Sequence, residues 1–198
     1  MSTIGSNPTG VTGRIAGTLM NIIHAGQYSR IIRRTLLRRF DPSEEVSILD
    51  IGCGGGKTLG IIASLLPSAR MRGIDHSGDM VRLAGRVNRA GIDAGRIEVL
   101  RADAHELPFP DSSFDAVTAF DTINFWTDLE KAAGEVRRVL KPGGWFIIVN
   151  GYLEEGTKWH DFVKFKNRDE YSAFLKRFGF RDVDITLQKR TIIVSAEK

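Results

Sequence analysis

The sequence predicts an α/β protein built on an open sheet of seven strands, of which five are parallel and the last two form a hairpin. Short apolar runs alternate with helical patterns between residues 46 and 149, as repeated strand–helix–strand units require. The later runs 180–187 and 190–196 are separated by two residues only, and a connection that short joins antiparallel neighbours. A parallel sheet of this kind carries helices on both faces, which is the Rossmann-like arrangement.

Each predicted strand is a short apolar run bounded by turn residues. The five parallel strands are expected at 46–51, 69–74, 96–101, 114–120 and 145–149. Helices are expected at 57–66, 78–90, 129–140 and 169–178, with one or two more before a turn at 41–43. Pro67 is expected to end the first of these helices, Gly91 to close the second, and the segment 141–144 to form a turn. We therefore divide the chain into a lead-in with cap helices at 1–40 and a main domain at 41–198.

Composition is that of an ordinary globular domain. The chain has 198 residues, of which 42% are hydrophobic and 26% charged, with a net charge of +4. No apolar run approaches the roughly 18 residues of a membrane span, and the polar start lacks the pattern of a signal peptide. The single cysteine excludes an internal disulfide, and the four histidines show no metal-ligand spacing. We expect a cytoplasmic protein without a metal site.

Three chemistries compete for the glycine-rich loop at 52–58. A phosphate-binding P-loop would need glycine at position 51, where Ile51 stands. A dinucleotide-binding loop would need glycine at position 57, which is Lys57. A G-x-G-x-G loop fits Gly52, Gly54 and Gly56 without gaps. There the glycines let the backbone approach a ligand, whose carboxylate can lie at the N-terminus of the following helix.

Carboxylates at strand ends decide between these chemistries. Asp50 ends the strand before the loop, and Asp75 ends the second strand, where it can accept hydrogen bonds from ribose hydroxyls and would repel a phosphate. The other interpretation of Asp75 is an N-cap, a role that Ser77 can also serve. Asp103 follows the third strand and can accept from an adenine amino group, while the N–H of Ala104 donates to a ring nitrogen. Positions at the carboxyl ends of neighbouring strands are where open α/β sheets bind ligands.

A longer pattern surrounds these residues. It reads Ile-Leu-Asp-Ile-Gly-Cys-Gly-Gly-Gly at 48–56, Gly-Ile-Asp-His-Ser at 73–77, Ala-Asp-Ala-His-Glu-Leu-Pro-Phe at 102–109, Phe-Asp-Ala-Val at 114–117, and Glu-Val-Arg-Arg-Val-Leu-Lys-Pro-Gly-Gly at 135–144. The stretch 46–149 thereby resembles the class I S-adenosylmethionine-dependent methyltransferases, especially the group that includes the ubiquinone/menaquinone-biosynthesis enzymes. The resemblance implies S-adenosyl-L-methionine as cofactor, with contacts at Gly52, Gly54, Asp75, Asp103, Ala104 and the end of the fourth strand near Phe120. It is silent on the methyl acceptor.

Candidate acceptor residues come from three other segments: the helices before 41, the loop 121–126 and the segment 150–167. Phe125 and Trp126 would form an acceptor wall or stack near the sulfonium, or else pack on a neighbouring helix. His24 and Tyr28 lie four residues apart on one helical face and would hold the cofactor or take a proton, or else pack in the ordinary way. His160 is a second candidate base, or a surface residue. No catalytic residue is assigned, because S-adenosylmethionine needs a base only for some acceptors.

His76, which follows Asp75, is expected to lie beside the ribose or adenine of the cofactor. The densest basic stretch, 30–39, places arginines on one face of an amphipathic helix, and we interpret it as a solvated face rather than a nucleic-acid surface. We predict methyl transfer to a small-molecule acceptor. The alternatives are an RNA methyltransferase that uses the basic helix, a non-catalytic cofactor-binding or regulatory protein, and a nucleotide-dependent oxidoreductase.

Overall fold

The structure is a computed structural model, and it describes residues 28–152, 163–188 and 190–198. These residues fall into two compact units that meet in the chain between Asp103 and Ala104. The predicted division at residue 40 stays a prediction. The first unit contains, in chain order, a helix at 28–36 (α1), then β1 Ser47–Ile51, α2 Lys57–Leu65, β2 Arg70–Asp75, α3 Gly78–Val87, α4 Arg89–Asp93 and β3 Ile97–Arg101.

The strands of the first unit are parallel and lie in the order β3-β2-β1. β1 is buried along almost its whole length, as a central strand with apolar residues on both sides must be. Ile51 pairs with Ile74, and Asp75 pairs with Arg101. The register therefore brings the carboxyl ends of all three strands to one level, where the predicted cofactor residues lie.

One helix of the first unit differs from the prediction. The expected helix 78–90 is broken at Asn88, whose buried side chain donates from Nδ2 to the carbonyl oxygens of Gly56 and Ala84. The prediction that Gly91 closes this helix is wrong. Gly91 lies inside α4, where a Cβ would come within 2.5 Å of Ile97 Cδ1, so a larger residue there would have to displace the Ile97 side chain.

The second unit contains the remaining strands and helices: β4 Phe114–Phe120, α5 Leu129–Val139, β5 Leu140–Gly151, α6 Arg168–Arg177, β6 Arg181–Gln188 and β7 Thr191–Glu197. β4 and β5 are parallel, β7 is antiparallel to both β5 and β6, and the order is β4-β5-β7-β6. The terminal hairpin is confirmed. The predicted fold class is confirmed as well, since the described residues form a mixed seven-stranded sheet with helices.

β5 begins earlier than predicted. Residues 141–144 were expected to form a turn, but β5 runs through them from Leu140. The backbone of this segment has partners that local sequence cannot reveal: the Gly143 N–H donates to the Lys198 carbonyl at 3.2 Å, and the Gly144 carbonyl accepts from the Lys198 N–H at 2.9 Å. Gly143 has a φ of 75°, and the pairing of β4 with β5 shifts register between Phe114 and Ala116. The segment is therefore an irregular start of the strand.

Within the part of the chain that the structure describes, no helix is both long enough and apolar enough to cross a bilayer.

Candidate cofactor and acceptor sites

The loop after β1 alternates between left-handed and ordinary backbone. Gly52, Gly54 and Gly56 have φ angles of 71°, 50° and 79°, a region that is costly for residues with a Cβ. The N–H groups of Gly52 and Cys53 both donate to the Ile74 carbonyl, at 2.8 and 2.9 Å. The loop is thereby fastened to the end of β2. The spacing of the glycines in the sequence follows from this alternation.

Two of these glycines have different surroundings. A Cβ on Gly56 would lie 2.5 Å from Asn88 Nδ2 and 2.7 Å from Ala84 Cβ, so α3 packs directly on the loop. Among the described residues, no heavy atom lies within 4 Å of a Cβ built on Gly54. Gly56 is therefore required by packing within the unit, whereas Gly54 leaves space on the outer side of the loop. Asn88 holds this packing through its 2.8 Å bond to the Gly56 carbonyl, a contact across 32 positions that no local sequence pattern predicts.

Asp50 is buried, with 1% of its surface exposed, and its Oδ2 accepts from Thr58 Oγ1 at 2.6 Å. Thr58 lies in the first turn of α2, so this bond connects the end of β1 to the start of the helix across the loop. The structure places Asp50 as an anchor of the loop, and its predicted contact with the cofactor stays a prediction. Thr58 was missed because its partner is eight residues away, beyond any helical or strand period.

The Asp75 carboxylate joins the loop to the end of β2. Its Oδ2 accepts the Gly54 N–H at 3.0 Å, and its Oδ1 accepts the Ser77 N–H at 2.9 Å. Asp75 is buried, whereas His76 next to it exposes 48% of its side chain. The N-cap of α3 is Ser77, and the bond from its N–H to Asp75 is a turn bond across two residues, so Asp75 is not the N-cap. The contact of Asp75 with a ribose stays a prediction.

Cys53 is a neutral thiol in this loop. Burial raises its pKa well above 9.0, and the charges of Asp50 and Asp75 raise it further. A thiol of this kind is a poor nucleophile.

The predicted adenine residues follow β3. Arg101, the last residue of β3, donates from Nε to the His76 carbonyl at 3.0 Å, and the Ala102 N–H donates to the Asp75 carbonyl at 3.2 Å. Asp103, which comes next, is exposed, and Ala104 is buried. Asp75, His76 and Asp103 therefore lie at adjacent strand ends of the first unit, as predicted.

A single arginine fastens the loop that follows Ala104. Arg138, in α5, donates hydrogen bonds from all of its guanidinium nitrogens. Nε and Nη2 donate to the Glu135 carboxylate at 2.7 and 2.8 Å. Nη1 donates to Asp111 at 2.9 Å and to the Phe109 carbonyl at 2.7 Å, and Nη2 also donates to the Leu107 carbonyl at 3.0 Å. Glu135 in turn accepts the Leu107 N–H at 2.8 Å. These bonds raise the pKa of Arg138 and lower that of Glu135. In the sequence, both residues belong to the stretch 135–144 that carries the family resemblance.

The end of β4 carries a strained residue. Asp121, directly after Phe120, has a φ of 50°, which is uncommon for a residue other than glycine. Its Oδ1 accepts the Gly151 N–H at 2.7 Å, and its own N–H donates to the Val149 carbonyl at 2.8 Å. Strained backbone that is held by specific bonds is concentrated at functional sites. The ends of β4 and β5 are thereby joined at the edge where the acceptor is expected.

Two of the predicted acceptor segments touch each other. The Lys164 N–H donates to Asn124 Oδ1 at 3.1 Å, which connects the loop 121–126 to the residues before α6. Phe125 in that loop exposes 48% of its surface. Trp126 is buried and stacks on Phe146, with ring centroids 6.5 Å apart and an interplanar angle of 6°. Phe125 is therefore exposed and Trp126 packs in the core, while their roles toward an acceptor stay predictions.

A buried polar pair lies behind this edge. Asn150, the residue before the end of β5, donates from Nδ2 to Tyr171 Oη at 3.0 Å, and both residues are at most 3% exposed. The Asn150 Oδ1 is buried without a hydrogen-bond partner. Leaving a buried acceptor unsatisfied costs about 1–3 kcal/mol. Burial and the nearby Asp121 charge raise the pKa of Tyr171 to about 12. Neither residue was singled out from the sequence.

The other predicted residues lie in or near the N-terminal region. Tyr28, the first described residue of α1, is buried, and His24 and His160 lie outside the described residues. α1 and the turn after it are amphipathic as expected, with buried Ile31, Ile32 and Leu36 and with exposed arginines at 30, 33, 34 and 38. Among the described residues, no group of three or more histidine, cysteine or acidic residues could hold a metal ion.

Comparison with known proteins decides the family. A family profile described as a methyltransferase domain matches residues 49–148, half of the chain. The chain belongs to this family. An O-methyltransferase from Pyrenophora dematioidea is 31% identical over 156 residues, which cover 74% of this chain and 58% of that protein. A demethylmenaquinone methyltransferase from Thermus thermophilus is 42% identical over 104 residues, 52% of this chain and 46% of that protein.

Solved structures agree on the fold. An S-adenosylmethionine-dependent methyltransferase from Aquifex aeolicus superimposes with a TM-score of 0.71 over 83% of this chain and 88% of that chain, at 22% identity. The expected resemblance to the quinone-biosynthesis methyltransferases is confirmed. The chain spans about half the length of the two curated relatives.

Proposed function

We propose that this methyltransferase-family chain binds S-adenosyl-L-methionine at the glycine loop and the ends of β2 and β3, and transfers its methyl group to a small-molecule acceptor. The observation that carries the proposal is the loop itself. Three glycines adopt left-handed φ angles, and the middle one is fastened by its N–H to the buried Asp75 carboxylate at 3.0 Å. Such a loop lets a ligand approach the backbone closely.

The residues present fit this cofactor. The carboxylate of Asp75 has about four acceptor positions, of which backbone N–H groups occupy two, so it can still accept from ribose hydroxyls. The first turn of α2 contains no acidic residue, so the donor's carboxylate can lie at that helix N-terminus without repulsion from it. We further propose that Asp103, Ala104 and His76 contact the adenosine.

The chemistry of transfer makes modest demands on the protein. Bound S-adenosylmethionine supplies a methyl group on a positively charged sulfur that leaves as a neutral thioether. The chain must hold the acceptor in line and exclude water, and this positioning supplies much of the rate. Tyr171, with its pKa of about 12, stays protonated near neutral pH and cannot serve as the general base there.

A small organic acceptor is supported by the relatives. One relative is named an O-methyltransferase, and the other is named for demethylmenaquinone, which is a small molecule. We propose that the acceptor binds beside Phe120 and Phe125, at the carboxyl end of β4. The exposed arginines of α1 do not alter this proposal, because a basic helix face is common on proteins that bind no nucleic acid.

Titration calorimetry tests cofactor binding. S-adenosylhomocysteine is expected to bind and NADH is not; the reverse result would remove the proposal in favour of an oxidoreductase. Asp75→Ala should weaken S-adenosylhomocysteine at least about tenfold, a loss of about 1.4 kcal/mol. Asp93→Ala, at an exposed aspartate of α4 that pairs with Arg89, is the matched control and should bind normally. Methyl transfer is then screened with radiolabelled donor against hydroxyl-, amine- and thiol-bearing metabolites and against total RNA.

A further inference from the structure

The buried pair of Asn150 and Tyr171 has an incomplete set of hydrogen bonds. The Asn150 amide reaches Tyr171 with one end, and its other end is buried without a partner. If the amide is turned over, the Tyr171 O–H donates to Asn150 and leaves an amide N–H and the lone pairs of Tyr171 unused, so the pair offers both a donor and an acceptor in either orientation. In the structure, Nδ2 faces Tyr171. Tyr171 accepts from Asn150, and among the described residues no acceptor is found for its own O–H proton. The pair therefore offers one acceptor and one donor that nothing described in the protein uses.

The position of the pair connects it to ligand binding. Asn150 lies at the carboxyl end of β5, and this is the edge at which open α/β sheets bind their ligands. The next residue, Gly151, is exposed, and its N–H donates to the half-buried Asp121 at 2.7 Å. Asn150 is thus followed in the chain by an exposed residue that is bonded to the end of β4. A purely structural pair would gain nothing from an unmet amide at this edge.

We infer that Asn150 and Tyr171, with Asp121 beside them, form the subsite that holds a hydroxyl group of the methyl acceptor. The inference rests on the proposed function and names the acceptor class. In the subsite, the acceptor O–H donates to the Asn150 amide oxygen, and the Tyr171 O–H donates to the acceptor oxygen. The contact orients the acceptor, and neither residue is assigned a bond-making step.

The chemistry of the pair selects a hydroxyl over other groups. A hydroxyl presents one donor and two lone pairs, and it satisfies both unused positions at once. An ammonium has three donors and no acceptor, so it would leave the Tyr171 proton unmet. Because the pKa of Tyr171 is about 12, the phenol remains a donor across the physiological range. Phe125, exposed in the loop four residues beyond Asp121, favours an acceptor that carries a ring.

Phenol and anisole are the matched probes for this subsite, because anisole keeps the ring and lacks the donor. The protein is first saturated with S-adenosylhomocysteine, and each probe is then titrated while side-chain amide signals are followed by nitrogen-15 NMR. The Asn150 signal is identified by its loss in Asn150→Leu. Phenol is expected to shift it and anisole to leave it unchanged. Equal responses, or no response to phenol up to its solubility limit, would overturn the inference.

Three variants separate ligand binding from packing. Tyr171→Phe should weaken phenol binding about tenfold, with unchanged affinity for S-adenosylhomocysteine, while Asp93→Ala in α4 should change neither. The double variant Asn150→Leu/Tyr171→Phe removes both polar partners and is expected to be at least as stable as the wild type. If that stable protein still binds phenol normally, the pair is structural and the inference is wrong.

Failure here is distinguishable from failure of the proposed function. Loss of S-adenosylhomocysteine binding in the wild type refutes the proposed function itself. Binding of S-adenosylhomocysteine without a phenol response at Asn150, or methylation confined to amines, refutes only the hydroxyl subsite.

Discussion

Replacing Gly54 and Gly56 separately by alanine should give two different defects, because the two residues share a backbone conformation and differ in surroundings. Left-handed backbone costs alanine about 1–2 kcal/mol at either position. At Gly56 the new Cβ would also lie 2.5 Å from Asn88 Nδ2 and 2.7 Å from Ala84 Cβ, both in contact with the loop. Overpacking of this kind adds about 1–3 kcal/mol. We expect losses of about 1–2 kcal/mol for Gly54→Ala and about 2–5 kcal/mol for Gly56→Ala.

The free energy of unfolding is measured by urea denaturation followed by tryptophan fluorescence, with the slope m compared between variants. Binding of S-adenosylhomocysteine is measured on the same samples at a temperature where both variants are folded. Gly54→Ala should lose binding at least about tenfold, because its Cβ occupies the side of the loop that the cofactor approaches. Equal stability losses for the two variants would refute the packing role of Gly56. Unchanged binding by Gly54→Ala would refute the assignment of the cofactor to that side of the loop.

Three further predictions concern other parts of the chain. Arg138→Leu should lower the free energy of unfolding by about 1–3 kcal/mol and speed hydrogen exchange at 105–111, whereas Arg82→Leu, which breaks an exposed pair, should do neither. The lowered pKa of Glu135 stabilises the folded state above pH 4.5, and this stabilisation is lost as the pH falls. Arg138→Leu should therefore also reduce the loss of stability below pH 4.5. Cys53 should resist thiol reagents until the protein unfolds, and stability should decline above pH 9.0, because its pKa is raised only in the folded state. Gly134→Ala, in α5 with no described atom near the new Cβ, should stabilise the protein by up to about 1 kcal/mol, as urea unfolding will show; no gain would mean that the helix is strained there.

The sequence predicted what depends on short-range pattern. β4 was expected at 114–120 and is found at Phe114–Phe120, because a short, mostly apolar run that follows turn residues is a local signal. The loop at 52–56 was interpreted correctly as a run of turning glycines, since their spacing alone specifies the alternating backbone. The carboxylate of Asp75 could be placed because a strand end is a local property.

What the sequence did not predict depends on partners distant in the chain. Asn88 breaks a helix because it bonds the Gly56 carbonyl, 32 positions away. Arg138 reaches carbonyls 29 and 31 positions away, and Tyr171 meets Asn150 across 21 positions. No periodicity or capping rule identifies such pairs, since each exists only after the strands have assembled.

The glycine loop has a consequence for the redesign of this protein. Its three left-handed positions present only main-chain atoms, so directed evolution has no side chains there with which to adjust the choice of donor. A variant that accepts an altered sulfonium analogue must therefore arise from residues that still have room to vary. His76, half exposed beside Asp75, is such a position, and a library concentrated there should yield altered donor preference more often than one aimed at the loop.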